Sequence, residues 1–250
     1  MEKPLITPDQ TVEDSNPNQP IFPNKRNWNS YFKEFLMLFL AIVLGFFVEN
    51  LRESYVEQQS ANILAQSMLE DLERDKKALL EAIRFTEEKD LIIENYLERL
   101  HAPQVTWDTA AIYKGITSVF TTFPFLATDG TYSQMKSSGT LRYFDQALVN
   151  QMNAYDNQLK KTVFRDEIVE KAEWELVPLA STLVNFEVTG ELRFDQPITK
   201  EMYLKIKDQN TLEIFINKIV VVRTMTGRSR QEYKAQIILA EELIEDLSTR

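Results

Sequence analysis

A chain of 250 residues has room for one or two domains, and its 38 acidic against 28 basic side chains leave a net charge of −10. That balance excludes a binder of phosphate backbones, which needs clustered Lys and Arg, so no nucleic-acid partner is expected. The absence of cysteine excludes disulfides and thiolate metal sites, and six glycines are few for an all-β or Gly-loop nucleotide fold.

Residues 1–27 hold five of the nine prolines, with Asn, Asp and Thr between them. This composition cannot bury a core and predicts a disordered tail, too short for a catalytic or signalling domain. Residues 35–48 then contain no polar side chain. A helix through them is apolar on every side, which suits lipid or a deep core. The run of 14 residues is short of the roughly 20 needed to cross a bilayer, but its flanks lengthen it. Tyr31 and Phe32 extend it upstream and Leu51 downstream, and 31–51 as a helix covers about 31 Å. Lys33, Glu34, Glu49 and Asn50 then fall near the interfaces, with Trp28 and Tyr31 as an aromatic belt. Its eleven Leu, Ile, Phe or Val residues favour insertion by about 3–7 kcal/mol in total. More than 30 residues precede the run and no small-x-small site follows it, so a retained anchor is expected rather than a cleaved signal peptide. Lys25, Arg26 and Lys33 precede the span, against Arg52 alone just after it. This places the N-terminus in the cytoplasm and the bulk of the chain in the periplasm of a Gram-negative inner membrane. Within the span, Ala41-x-x-x-Gly45 is a small-x-x-x-small pair of the kind that lets transmembrane helices approach.

From 46 to 102 there is neither Gly nor Pro, and helix formers dominate. The span is expected to continue as one long helix over 52–101, or to break only near Asn50. Ala65, Leu69, Leu72, Leu79, Ile83, Ile93, Leu97 and Leu100 fall in a 3-4 register interrupted by Lys76, Thr86 and Asp90, as in a bundle helix. Glu70, Asp71, Glu73, Asp75, Glu87 and Glu88 read as its solvated face. Pro103 ends the helix. Residues 102–250 are expected to form an all-α bundle domain completed by 52–101.

In that domain Asp108 is placed to cap a helix over 109–120, and Pro124 to stop the following segment. Asp129-Gly130 marks a turn, 131–138 a short helix, and Gly139 its left-handed terminus. Asp145 caps a helix with the stripe Leu148, Met152, Tyr155, Leu159 and Val163, expected to end before Pro178. Residues 186–194 alternate apolar and polar around Thr189-Gly190, which predicts a small β-hairpin. A short helix is predicted over 198–206. From Asn210, the residues Leu212, Phe215, Ile219, Val222, Tyr233, Ala240, Leu243 and Leu247 share one register. The β-branched run 219–222 is compatible with a strand, but the flanking period favours helix, kinked at Gly227.

The aromatic-rich span YFKEFLMLFLAIVLGFFV (31–48), the ENLRE after it, the acidic MLEDLERD (68–75), TYSQMKSSGTLR (131–142) and a helix carrying Tyr155 occur together. This combination resembles a family of single-span bacterial proteins of unknown function, common in the Bacteroidetes. In that family a Tyr-x-x-Leu-x-x-Ser-Gly-x-Leu motif precedes a Tyr-containing helix, and a long C-terminal helix closes the chain. The matching positions here are Tyr132, Met135 (where Leu is usual), Ser138, Gly139, Leu141 and Tyr155. Asp156 follows Tyr155 where a second Tyr is frequent. The resemblance implies an inner-membrane anchor and a helical extracytoplasmic domain, and it supplies no activity.

Chemistry is sparse. With one His and no Cys, a zinc site is not expected. Glu98-x-x-His101 is half of a bundle di-iron motif whose second half is missing. Lys136-Ser137-Ser138 offers the residue types of Ser-Lys catalysis, but it reads as a helix end: Lys favours the C-terminal dipole and Gly139 terminates the turn. No Walker loop, dinucleotide fingerprint or Gly-x-Ser-x-Gly elbow is present. No enzyme, cofactor or metal is expected. The expected function is a membrane-anchored structural or interaction protein, a scaffold or accessory subunit whose partners are the bilayer and another protein or a second copy. The 132–141 motif with Tyr155 is either a fold-determining joint or a docking edge. The alternative function is a periplasmic ligand-sensing helical domain that acts through a membrane partner.

Overall fold

The structure is a computed structural model that describes residues 28–123, 125–206 and 208–249. The expected tail at 1–27 and the stop at Pro124 lie outside the described residues. Among the described residues six α-helices follow one another: α1 Trp28–His101, α2 Thr109–Val119, α3 Gly130–Ser137, α4 Gln146–Leu183, α5 Phe186–Arg193 and α6 Gln209–Ser248. The fold is all-α, as the composition predicts, and α1 is helical across the boundary that the sequence left open near Asn50. Two units divide the chain, Met1–Ser54 and Tyr55–Arg250. In the first, every described residue is exposed, including all of the apolar run 35–48.

The second unit is built on three long helical stretches. On α1 the buried positions Ala61, Ala65, Met68, Leu72, Asp75, Leu79, Ala82, Thr86, Lys89, Ile93, Tyr96 and Leu100 alternate spacings of three and four. On α6 an unbroken series of the same spacing runs from Leu212 to Leu247. On α4 the series runs from Leu148 to Leu183 and includes Thr162 in place of the expected Val163, which is 37% exposed. A repeat near 3.5 keeps each seam facing its partners along the whole length. Side-chain pairs fix the directions. Asp75 meets Tyr155 and Lys89 meets Glu173, so α1 and α4 run parallel. Lys76 meets Glu241 and Asp90 meets Arg223, so α6 runs antiparallel to α1.

The α1 seam differs from the predicted register at one of its two positions. Asp75, Ala82, Lys89 and Tyr96 occupy it, while Lys76 and Asp90 lie at its edge and form ion pairs with Glu241 and Arg223. A register chosen to collect apolar residues passes over Asp75 and Lys89, which the fold buries because each has a partner across the seam.

Local chemistry explains the other helices. Asp108 accepts from the Ala110 amide at 3.0 Å and Asp145 from Leu148 at 2.9 Å, as expected of caps. Three expectations are corrected. Residues 186–194 form no hairpin: Asn185 caps α5 by accepting the Glu187 amide at 3.2 Å, and Val188 is fully buried. The alternation was also compatible with a helix that places Val188 and Leu192 on one side, and the cap decided it. The α4 helix does not end before Pro178 but continues to Leu183. A proline inside a helix costs about 3 kcal/mol. Here Pro178 and Trp174, whose carbonyl loses its partner, both face solvent, while Leu176, Ala180 and Leu183 are buried beyond them. Burial of a leucine contributes about 1.5–3 kcal/mol, enough to offset the break.

Residues 198–206 form no helix either. The segment has no regular helix or strand and makes one isolated antiparallel bridge, Val184 to Leu204. Its anchor is the buried Tyr113 hydroxyl, which donates to the Tyr203 carbonyl (3.0 Å) and accepts from the Asn185 and Tyr203 amides (2.7 and 3.2 Å). Three backbone groups satisfied by a side chain leave no need for a helical ladder. Tyr113→Phe is therefore expected to destabilise the protein by about 1–3 kcal/mol and to speed amide exchange at 185 and 203, read by hydrogen–deuterium exchange. Gly115 on the same helix lets α2 lie against α1, since a Cβ there would sit 2.2 Å from the Tyr96 ring. The α6 helix passes through Gly227 without interruption, and 219–222 is helical.

Candidate functional site

Two groups of polar side chains are buried in the second unit. The first joins α1, α3 and α4 and contains most of the 132–141 motif. Asp71 and Asp75, expected on a solvated face, are instead 7% and 1% exposed. Asp75 accepts the Thr128 amide (2.9 Å) and the Tyr155 hydroxyl (2.8 Å), and Asp71 accepts the Thr131 hydroxyl. Burial raises the Asp75 carboxyl above its ordinary range, against the opposing effect of the Tyr155 and Thr128 hydrogen bonds. Burial also raises the Tyr155 phenol, and the Asp75 charge adds to that shift.

Tyr132 and Met135 point into the same core, with the Tyr132 hydroxyl donating to Asn153 at 2.7 Å. Leu141 packs against that core from the turn after α3. Ser138 and Gly139 remain exposed, and Gly139 holds φ +72°, the left-handed conformation expected of it. The Ser138 hydroxyl lies 2.6 Å from that of Thr140. Gly139→Ala is expected to cost about 1 kcal/mol through backbone strain alone, because a Cβ there meets open space. A urea titration of the variant measures it.

The arrangement accounts for the motif as a joint: two α1 carboxylates hold the start of α3, and Tyr155 ties α4 to the same point. Lys136 lies over the Tyr132 ring (4.4 Å) and pairs with Asp156 (3.2 Å), while Ser137 donates to the Gln134 carbonyl. No lysine–serine pair is formed. Elsewhere, His101 is exposed in the last turn of α1 beside Arg99, and Ala41 and Gly45 are exposed in the first unit. Among the described residues no cluster of His, Asp or Glu could hold a metal.

The second group is a polar belt across the middle of the three seams. One apolar core lies on the Leu72, Met152 and Leu243 side of it and another on the Ile93, Leu176 and Phe215 side. Between them lie Thr86 and Lys89 of α1, Thr162, Asp166 and Glu173 of α4, and Thr226 and Ser229 of α6. Lys89 and Glu173 are each 5% exposed by side chain and meet at 2.6 Å. Lys89 also donates to the Thr121 carbonyl (2.9 Å), and the Thr122 hydroxyl donates to the other Glu173 oxygen (2.5 Å). Burial pushes the Lys89 ammonium below its ordinary range and the Glu173 charge opposes this. Asp166 accepts the Tyr233 hydroxyl at 2.6 Å and is raised by burial. Arg223 bridges Asp90 (2.8 Å) and Glu94 (3.3 Å) at the edge.

Two clefts open on either side of Glu173. One, of about 520 Å³, lies among α2, α4 and α5 and is walled by Phe120, Trp174, Phe186 and Phe194. The other, of about 200 Å³, is walled by Phe85, Phe123, Phe125 and Tyr233 with Asp166 among its lining. Sequence reasoning missed Lys89, Asp166 and Glu173. The available signal was the unbroken 3-4 spacing of α4 and α6, which leads through Thr162, Asp166, Glu173, Thr226 and Ser229 without a slip. Compared with known family models, curated proteins and solved structures, the chain matches none.

Proposed function

We propose that the protein is a membrane-anchored interaction protein, a scaffold or accessory subunit with no reaction of its own. Residues 31–51 would lie in the bacterial inner membrane, the N-terminus in the cytoplasm, and the three-seam bundle in the periplasm, where it would engage a protein partner or a second copy. The observation that carries the reading is the apolar stretch of α1, long enough to span a bilayer, with none of its apolar window buried in the protein. A core helix of a soluble protein would bury that window, and an exposed apolar surface of this extent marks a membrane or a protein interface. The excess of Lys and Arg before the span supports the orientation. The resemblance to single-span Bacteroidetes proteins supports the same reading.

After cell lysis and alkaline carbonate washing the full chain is expected in the membrane pellet, and alkaline phosphatase fused after Arg250 is expected to be active. Release into the supernatant would overturn the anchor, and an inactive fusion in a membrane-bound protein would overturn the orientation alone. A second reading, a ligand-sensing domain that signals through a membrane partner, is favoured by the 520 Å³ cleft, a volume within the range of small-molecule sites. Thermal-shift screening with small molecules tests it.

A further inference from the structure

We propose that the cavity between α1 and α4 walled by Phe85, Phe123, Phe125 and Tyr233 is a binding site for a small organic cation of the quaternary ammonium class, with Asp166 as its counter-ion. The aromatic walls come in two pairs. Phe85 and Phe123 stack with centroids 5.4 Å apart, and Phe125 meets Tyr233 at 6.4 Å with the rings inclined by 58°. All four rings line the same space of about 200 Å³. Ring faces attract a cation through their quadrupole, and several rings around one volume form the aromatic cage that suits alkylated ammonium groups.

Charge selects the same class. Among the described residues the carboxylates on the cavity are Asp166, Glu167, Glu170 and Glu173, and the cation is Lys89. Lys89 is already held by Glu173 at 2.6 Å, so the remaining carboxylates favour a positive guest and oppose an anion. Asp166 is poised for that role. Tyr233 donates to its Oδ1 at 2.6 Å; burial raises the carboxyl above its ordinary range, and the Tyr233 and Ser229 hydroxyls and the Phe125 amide oppose that rise. Ser229, 2% exposed, lines the cavity beside Asp166 and Tyr233. A space this large exceeds the ~30 Å³ share of one water. Four rings line the space beside hydroxyl and carboxylate side chains. A methylated ammonium needs only ring faces and a nearby negative charge.

The test is calorimetric titration of the full chain in detergent micelles with choline, and with 3,3-dimethyl-1-butanol, its neutral carbon isostere, at constant ionic strength. Choline is expected to bind saturably and the isostere at least about tenfold more weakly. Asp166→Asn, which keeps the shape and the Tyr233 partner, is expected to weaken choline about tenfold or more. Phe123→Leu, at a 37% exposed position outside the buried core, is expected to weaken it about threefold and carries the test if Asp166→Asn does not fold. No choline heat beyond that of sodium chloride, equal binding of choline and the isostere, or unchanged choline affinity in the folded variants would each overturn the proposal. The titration reads the same whether or not carbonate washing finds the chain in membranes, so failure of the anchor and failure of this site are distinguishable.

Discussion

Glu173→Ala is expected to destabilise the bundle by about 3–5 kcal/mol, the range for removing one partner of a buried ion pair. The loss is large because of what remains. The Lys89 ammonium keeps the Thr121 carbonyl at 2.9 Å and loses its counter-charge at 5% side-chain exposure. Urea unfolding of the full chain in detergent, followed by circular dichroism, measures the change. The double variant Lys89→Met with Glu173→Leu fills a similar volume without charge and is expected to unfold at or above the wild-type midpoint. If the double variant is as unstable as the single one, the pair contributes more than its own desolvation.

The pH dependence has a defined sign. Burial lowers the folded Lys89 value below 10.5, so between the two values the unfolded chain binds more protons and stability rises with pH. Without Glu173 the folded value falls further. The single variant is therefore expected to gain stability more steeply than wild type as pH rises toward 10.5.

Asp75→Ala is expected to cost about 2–4 kcal/mol, because the Tyr155 hydroxyl and the Thr128 amide would both stay buried without an acceptor. Asp75→Asn keeps one acceptor oxygen and is expected to cost about 1 kcal/mol at neutral pH. The folded carboxyl is raised above 3.8, so the native protein holds that proton more tightly than the unfolded chain. The site's contribution is greatest below 3.8 and falls as pH rises through the folded value. Asp75→Asn removes that fall, and unfolding midpoints from acid to neutral pH, compared with wild type, show it.

The 132–141 motif illustrates how a sequence signal can be sound and its meaning undecided. Gly139 was legible because a left-handed residue after a short helix is a local requirement. That Tyr132 and Met135 face inward while Ser138 stays outside depends on which side of α3 meets α1. That side is set by Asp71 and Asp75, some 60 residues earlier in the chain. The same distance effect hid the cavity. Phe85, Phe123 and Asp166 look unremarkable singly: a helix-surface phenylalanine, one beside a proline, and an acidic residue in an acidic chain. Only the packing of α1, α4 and α6 brings them around one space.

By itself the sequence determined the long helices, their caps at Asp108 and Asp145, the turn at Gly139, and the apolar stretch that no described part of the protein covers. Each of these rests on periodicity, on composition or on a hydrogen bond to a residue nearby in the chain. Only the tertiary structure decided which polar residues enter the seams. Burying Asp75, Lys89 or Glu173 is unfavourable for each residue alone and becomes tolerable when a partner from a distant helix arrives at hydrogen-bond distance. A register read from one helix has no access to that partner. For the same reason α4 continues past Pro178 and α5 is a helix: distant burial in the one and a single cap in the other outweigh the local preference.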